Sequence, residues 1–510
     1  MSVPARPARI SNVTAALAAN RLGVAQLVAY VVSAATPLTV IAGVVTLGYA
    51  TAGLPGIPVA FAVIAVLLGL FAVGYVAMAR RMSNAGAFYA YIAAGLGKPL
   101  GVGAAWVAVA AYTALTCGLY GAVGAAATPL LHAWLGVPVP WWAVAMIAWL
   151  VVAVLGTLQV DLNGRLLAVL LCAEVGIILV FSAASVAHPA GGAVTFATLN
   201  PAGLFAPGVG ALLCLAVLGF IGFEATVVFS EEAKDPRRTV PRATYLSLAL
   251  IAGLYTFAAW ALSVATGADR IVAESQAQGT ELLFTLAGAH LGPAWVHIGH
   301  ALFVTSLLAA MVSFHNTTAR YLFALGRERV LPAVFGRTSI RSGAPLVASL
   351  GLSAVSLLVI AGYAGYGRDP LVELFYWAGT SGAVGILILI AATSVAVVAY
   401  FARHPRLENA WRTAVAPITA SILLAGVAGL TLANLDTLLG VPADHPLRWA
   451  VPGAYLAAAV AGTGWGLILR ATRPDVYAGI GLGAKSVTAT LPAHGLHTPG
   501  TIASRPGVRP

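Results

Sequence analysis

The sequence predicts an all-α integral membrane protein with twelve membrane-spanning helices, and three observations carry that expectation. Only 8% of its 510 residues are charged and 60% are hydrophobic, against the roughly 25% charged of an ordinary soluble domain. Mean hydropathy is +0.93, and the 55 glycines are scattered through apolar runs rather than pooled in loops. Finally, the positive residues fall almost wholly into alternate connecting segments. A soluble enzyme, a secreted disulfide scaffold and a disordered tail protein are excluded on these grounds.

Runs long enough to cross about 30 Å of hydrocarbon cover residues 22–50, 57–79, 99–130, 139–158, 166–187, 206–230, 243–266, 295–325, 345–363, 371–402, 413–435 and 449–469. With the N-terminus placed inside, the connecting segments put 24 of the 27 Lys and Arg on the cytoplasmic side, leaving Arg270, Arg368 and Arg448 outside. Positive residues near span ends stay inside during insertion, so a missed or invented span would invert every later side. The net charge of +11 is thereby explained by topology, and nucleic acid is not an expected partner. Residues 1–21 form a cytoplasmic tail without the compact apolar core of a removable signal peptide. The tail 470–510, rich in Gly, Pro, Ser and Thr, reads as disordered and cytoplasmic. Cys117, Cys172 and Cys214 lie within apolar stretches, have no metal-ligand spacing and are odd in number, so they read as core filler.

Two spans are interrupted as a plain anchor would not need. In the first, Ser33-Ala34-Ala35-Thr36-Pro37 sits mid-span, where Pro37 removes a donor and disfavours helix at Thr36. In the sixth, Gly219-Phe220-Ile221-Gly222-Phe223-Glu224 places two glycines and an acid at mid-membrane, which is costly unless that backbone faces protein or a cavity. Five crossings separate the two, so they enter from opposite sides, the arithmetic of an inverted repeat whose broken helices meet at the bilayer midplane.

Three motifs carry a family resemblance. The run 219–224 followed by Ser230-Glu231-Glu232-Ala233-Lys234-Asp235-Pro236-Arg237-Arg238-Thr239-Val240-Pro241 resembles the sixth helix and following loop of amino acid-polyamine-organocation (APC) transporters. Asn84-Ala85-Gly86-Ala87-Phe88-Tyr89-Ala90-Tyr91 resembles the family's loop after helix two, and 319–327 with Leu331-Pro332 its loop after helix eight. The resemblance implies a five-plus-five inverted repeat of the LeuT type, about 22–187 and 206–402 within a core of 22–402, with two further helices over 413–469. It also implies alternating access to a central site lined by helices one, three, six, eight and ten.

Carried onto this chain, the resemblance implies a secondary transporter of the plasma membrane moving an amino acid, polyamine or related small amine by proton coupling or exchange. The expected substrate-binding residues are Ser33, Ala34, Ala35, Thr36, Phe220, Ile221, Gly222, Phe223, Glu224 and Tyr112. Because Pro37 cannot donate, capture of a carboxylate by the first break is weakened, although Ala34, Ala35 and Thr36 can still donate. Glu224 is the foremost proton-coupling candidate, since a carboxyl at an alternately opened cavity can take up and release a proton; it could instead pair with a cationic amine. Glu174, midway along span five, is the second, at a position near which some proton-coupled relatives carry a Lys.

Tyr112, Tyr120, Phe220, Phe223, Phe314, Tyr376 and Trp377 are aromatic candidates for gating or for packing over an ammonium. A sodium site would need hydroxyls such as Thr305-Ser306 beside freed carbonyls, and a proton or solute exchange is expected instead. His297, His300 and His315 share one span and do not face one another across helices as haem ligands would. No Gly-Lys-Ser/Thr phosphate loop is present, and neither cofactor, metal nor enzymatic site is expected. The competing readings are an APC-like transporter of another organic solute such as a nucleobase, and an integral-membrane enzyme.

Overall fold

The computed structural model describes residues 17, 19–206, 208–405 and 408–486. Among them the secondary structure is helical, apart from one isolated bridge between Leu22 and Ala233. Eleven helices are long and apolar enough to cross a membrane, and the expected span at 139–158 falls on a shorter apolar helix. In chain order they are α1 Val24–Ala52, α2 Ile57–Ala79, α3 Lys98–His132, α4 Trp141–Thr157 (the shorter one), α5 Val160–Ala187 and α6 Val209–Val227. The second half comprises α7 Pro236–Thr266, α8 Pro293–Arg327, α9 Leu346–Gly365, α10 Pro370–Arg403, α11 Trp411–Ala433 and α12 Leu447–Thr472.

These helices have apolar residues all round, as expected of segments facing lipid on one side and protein on the other. Exposed Leu, Ile and Val are accordingly frequent, for example Leu358 and Val169 on α9 and α5. Small residues let the inner helices approach closely. A Cβ on Gly382 of α10 would stand 2.7 Å from the Ala111 carbonyl oxygen of α3, and one on Gly462 of α12 would stand 2.8 Å from Gly103 Cα.

Three stretches depart from the sequence reading. The Asn84–Tyr91 motif, expected as loop, opens a helix over Phe88–Leu96 that is buried along most of its length. The segment between α7 and α8, also expected as loop, folds into the helices Ile271–Gln278 and Leu282–Leu291. The disorder expected from 470 onward does not hold for 470–486: α12 runs to Thr472, a short helix covers Pro474–Gly479 and a turn covers Gly483–Lys485. Composition is a poor guide there because the segment is held both by polar contacts with the rest of the chain and by Val476 and Ile480, which are buried in the main core. The Gly481 and Gly483 N–H groups each donate to Glu328 at 2.7 Å. The remainder of that tail, 487–510, and residues 1–16 of the N-terminal one lie outside the described residues.

Candidate functional site

Both expected interruptions are present, each for a local reason. The first helical segment of α1 ends at Ala34, and Thr36 adopts left-handed backbone angles (φ 46°, ψ 63°) immediately before Pro37 starts the second. A residue preceding proline is pushed out of the right-handed helical region, and Pro at the first position of a new helix forgoes a hydrogen bond that would be unmade anyway. In α6 the helix stops at Gly219 and restarts as a tight turn at Phe223. Gly222 at φ 113° makes that possible, because a side chain there would be strained and its Cβ would lie 2.7 Å from Ala34 Cβ. The two breaks are therefore in contact, glycine against alanine.

Backbone groups freed by the breaks are met by buried side chains. Leu38 N–H donates to Glu174 Oε1 at 2.7 Å, and Ser306 Oγ donates to the same oxygen at 2.5 Å. Gly222 N–H donates to Glu224 Oε2 at 2.9 Å, while Tyr112 Oη donates to Glu224 Oε1 at 2.7 Å. Tyr75 Oη reaches the Glu224 carbonyl at 2.9 Å and Tyr255 Oη the Ala35 carbonyl at 2.7 Å. Ala35 and Thr36, expected as free donors, are not free: their N–H groups bond back to the Val31 and Ser33 carbonyls at 3.2 Å. The first segment closes on itself with a tight last turn, which spacing in the sequence does not reveal.

A cavity of about 730 Å³ opens above the breaks. Of the expected binding residues, Ala34, Ala35, Thr36 and Ile221 line it; α3, α8 and α10 contribute Leu119, Phe314 and Tyr376 among others. Ser33, Phe220, Gly222, Phe223, Glu224 and Tyr112 do not line it, nor does Glu174. Phe220 packs between Phe61 and Tyr255, and Phe223 packs edge-on against Phe71. Glu224 and Tyr112 are fully buried. The Tyr112 ring rests against Phe314 in the cavity wall on one side and Tyr321 on the other, so the Tyr112–Glu224 contact lies just beyond the cavity along α8. Of the hydroxyl pair weighed for sodium, Ser306 serves Glu174, and Thr305 Oγ1 donates to the Leu302 carbonyl at 3.0 Å.

Beyond that contact the chain is sealed by charge. Arg320 is buried and forms a two-point pair with Glu232, Nε to Oε2 at 2.5 Å and Nη2 to Oε1 at 2.9 Å. It also donates to the Asn316 carbonyl and side chain, and lies over the Phe229 ring at 4.5 Å. Arg327 pairs likewise with Glu231 at 2.6 and 2.7 Å. The Glu232 carbonyl receives the Arg21 and Leu22 N–H groups, and Lys234 N–H donates to the Leu22 carbonyl, which ties the entry of α1 to the exit of α6. Glu328 gathers Asn84 Nδ2, Tyr89 Oη and the two glycine N–H groups of the C-terminal segment. In the sequence these charges served the count of sides and the family motifs, with no pairing assigned to them. A signal was available: the acids are adjacent and the arginines are seven apart, two helical turns on one face.

With this architecture in view, the comparisons are specific. The sequence profile of the amino acid permease family matches residues 22–455, and the chain belongs to that family. It is a multi-pass membrane protein of a permease family, not of an enzyme family. It is 27% identical over 316 residues to the low-affinity putrescine importer PlaP of Escherichia coli (strain K12), covering 59% of this chain and 66% of PlaP. It is 25% identical over 221 residues to the branched-chain amino acid permease BcaP of Bacillus subtilis (strain 168), covering 42% and 43%. It is 30% identical over 160 residues to the chloroplastic cationic amino acid transporter 7 of Arabidopsis thaliana, covering 29% and 25%. The matched portion thus spans between a quarter and about two thirds of these relatives.

Proposed function

We propose that this chain is a secondary transporter of the plasma membrane that moves an amino acid, polyamine or related small amine, with both termini in the cytoplasm. The observation that carries the reading is the cavity that ends on the touching breaks of α1 and α6, with a sealed charged layer at the far end of α8. A solute resting on the breaks is reached from one side only, and release to the other requires the Tyr112–Glu224 contact and the arginine pairs to part. That is alternating access about a central site. Family membership and the amino acid and putrescine transport named in its relatives support the solute class.

Glu224 is the coupling acid in this reading. Its carboxyl joins the backbone of the α6 break to Tyr112 on α3, so a proton gained or lost there changes which of the two it can hold. Protons or solute exchange drive the cycle, and sodium is not required. The test is uptake into sealed proteoliposomes of labelled amino acids, polyamines and nucleobases, with and without an inward proton gradient, on wild type and Glu224→Gln. An amine or amino acid that accumulates only with inward protons, with the variant losing accumulation but keeping exchange, supports it. Uptake of nucleobases alone would select the rival solute, and gradient dependence unchanged in the variant would remove Glu224 from the role.

A further inference from the structure

The two breaks leave four helix ends, of which the stop of the first α1 segment at Ala34, Ala35 and Thr36 lines the cavity beside Leu218 and Ile221 of α6, while Pro37, Leu38, Gly222 and Phe223 lie behind the wall. Backbone dipoles leave partial positive charge where a helical segment begins and partial negative charge where it stops. The segment that begins after the α1 break has Pro37, which has no N–H, and Leu38, whose N–H is taken by Glu174. At the α6 break the Gly222 N–H is taken by Glu224. Each anion-attracting end is thus occupied by a carboxyl of the protein itself, one from α5 and one from α6. The segments that stop at Ala34 and Gly219 carry no basic residue in their last turns, but several of their carbonyls are also engaged, Ala35 by Tyr255 Oη and Val217 and Leu218 by the Phe220 and Ile221 N–H groups.

The walls point the same way. No Lys or Arg lines the cavity among the described residues, and Glu281 is its one carboxylate side chain, 3.2 Å from His300. Most of the surface is aliphatic or aromatic, including Leu119, Ile221, Leu307, Phe314 and Phe375. An α-carboxylate entering here would meet no Lys or Arg, but Thr hydroxyls, Gln278 and His300 beside the Glu281 carboxylate, so its lost hydration would be poorly replaced. An ammonium would meet aromatic faces and Glu281.

We propose that the cavity selects amines with an apolar body and no carboxylate, with Glu281 drawing the ammonium in. This rests on the transport reading above and narrows it. The test uses the wild-type full chain and matched pairs that differ only in the α-carboxylate: 2-phenylethylamine against phenylalanine, and 3-methylbutylamine against leucine. Each is measured for flux in proteoliposomes and for the rise in melting temperature of the detergent-solubilised protein. The expected result is that the amine of each pair is transported and stabilises at concentrations roughly tenfold or more below its amino acid. Glu281→Gln should raise the half-saturating amine concentration several-fold while leaving the ligand-free melting temperature in place. Preference for the amino acid, or equal response to both, overturns the inference and leaves the transport reading standing. Amine binding without flux supports the inference and counts against the transport reading, whereas neither flux nor stabilisation with any pair member overturns the inference alone, the transport reading being decided by the broader uptake panel.

Discussion

Replacing Arg320 by Met should open the sealed end of the protein. Arg320 holds Glu232 at two points inside the fold, and both side chains are 1% exposed. Removing one member of a buried pair leaves the other charge uncompensated, at about 3–5 kcal/mol. Loss of the Phe229 ring contact at 4.5 Å adds to this, by about 0.5–2 kcal/mol. A conformation that admits water to Glu232 escapes the larger penalty, so the balance between sealed and opened forms should shift toward opening by roughly 10²- to 10⁴-fold. The assay is the modification rate of a reporter cysteine, Ala126→Cys in the cavity wall, in a background where Cys117, Cys172 and Cys214 are replaced. In detergent, Arg320→Met should slow labelling of the reporter, because closing the cavity accompanies opening the other end. The double change Arg320→Met with Glu232→Leu removes the stranded charge and should recover most of the wild-type rate. A single variant that labels and melts like wild type, or a double variant no better than the single, would refute the reasoning.

Other outcomes follow from the same contacts. Gly222→Ala forces a side chain into φ 113° and against Ala34 Cβ at 2.7 Å; a loss of about 1–3 kcal/mol is expected from each source, read as a much lower melting temperature or absent folded protein. Glu328→Ala strips the acceptor from Tyr89, Asn84 and the Gly481 and Gly483 N–H groups; at about 1–3 kcal/mol per stranded donor the C-terminal segment should detach, and trypsin should cleave after Lys485 faster than in wild type. Glu408, in the loop between α10 and α11, is pushed up by partial burial but held below the usual carboxylate range by its bonds to Arg412 and Arg81. A lowered acid adds stability above its unfolded value of about 4.3 and loses it as the pH falls through the folded one. Glu408→Gln should therefore cost under about 1 kcal/mol at neutral pH, with the melting temperatures of the two proteins converging as the pH falls through the lowered folded value.

Much of the site was legible in advance where one residue type forces the backbone. Pro37 marks the first break because proline constrains its neighbour whatever surrounds it, and the glycines at 219 and 222 mark the second. Glu174 and Glu224 were legible as buried acids, since a carboxyl at mid-span has to be held by something. Which groups hold them was not. Glu174 lies 136 positions from the amide it caps and Tyr112 lies 112 from Glu224, and one sequence carries no record of such pairings. The same limit separates Ala34 and Ile221, which line the cavity, from Ser33 and Phe220, their neighbours in the chain, which do not. A helix advances about 100° per residue, so adjacent side chains look in different directions and only the packed rotation of the helix decides which faces the void.

The sequence by itself determined the membrane class, the approximate course of the apolar helices, eleven of which are long enough to cross a membrane among the described residues, and the places where two of them break. All follow from composition and from local backbone constraints that act within a few residues. Only the tertiary structure decided that the breaks touch, that their amides are already filled, and that Glu231, Glu232, Arg320 and Arg327 form a seal rather than solvated loop charges. It also decided that residues 474–486 pack beneath Glu328. Those outcomes depend on how distant helices rotate and settle against one another, and that is set by the summed packing of the whole bundle.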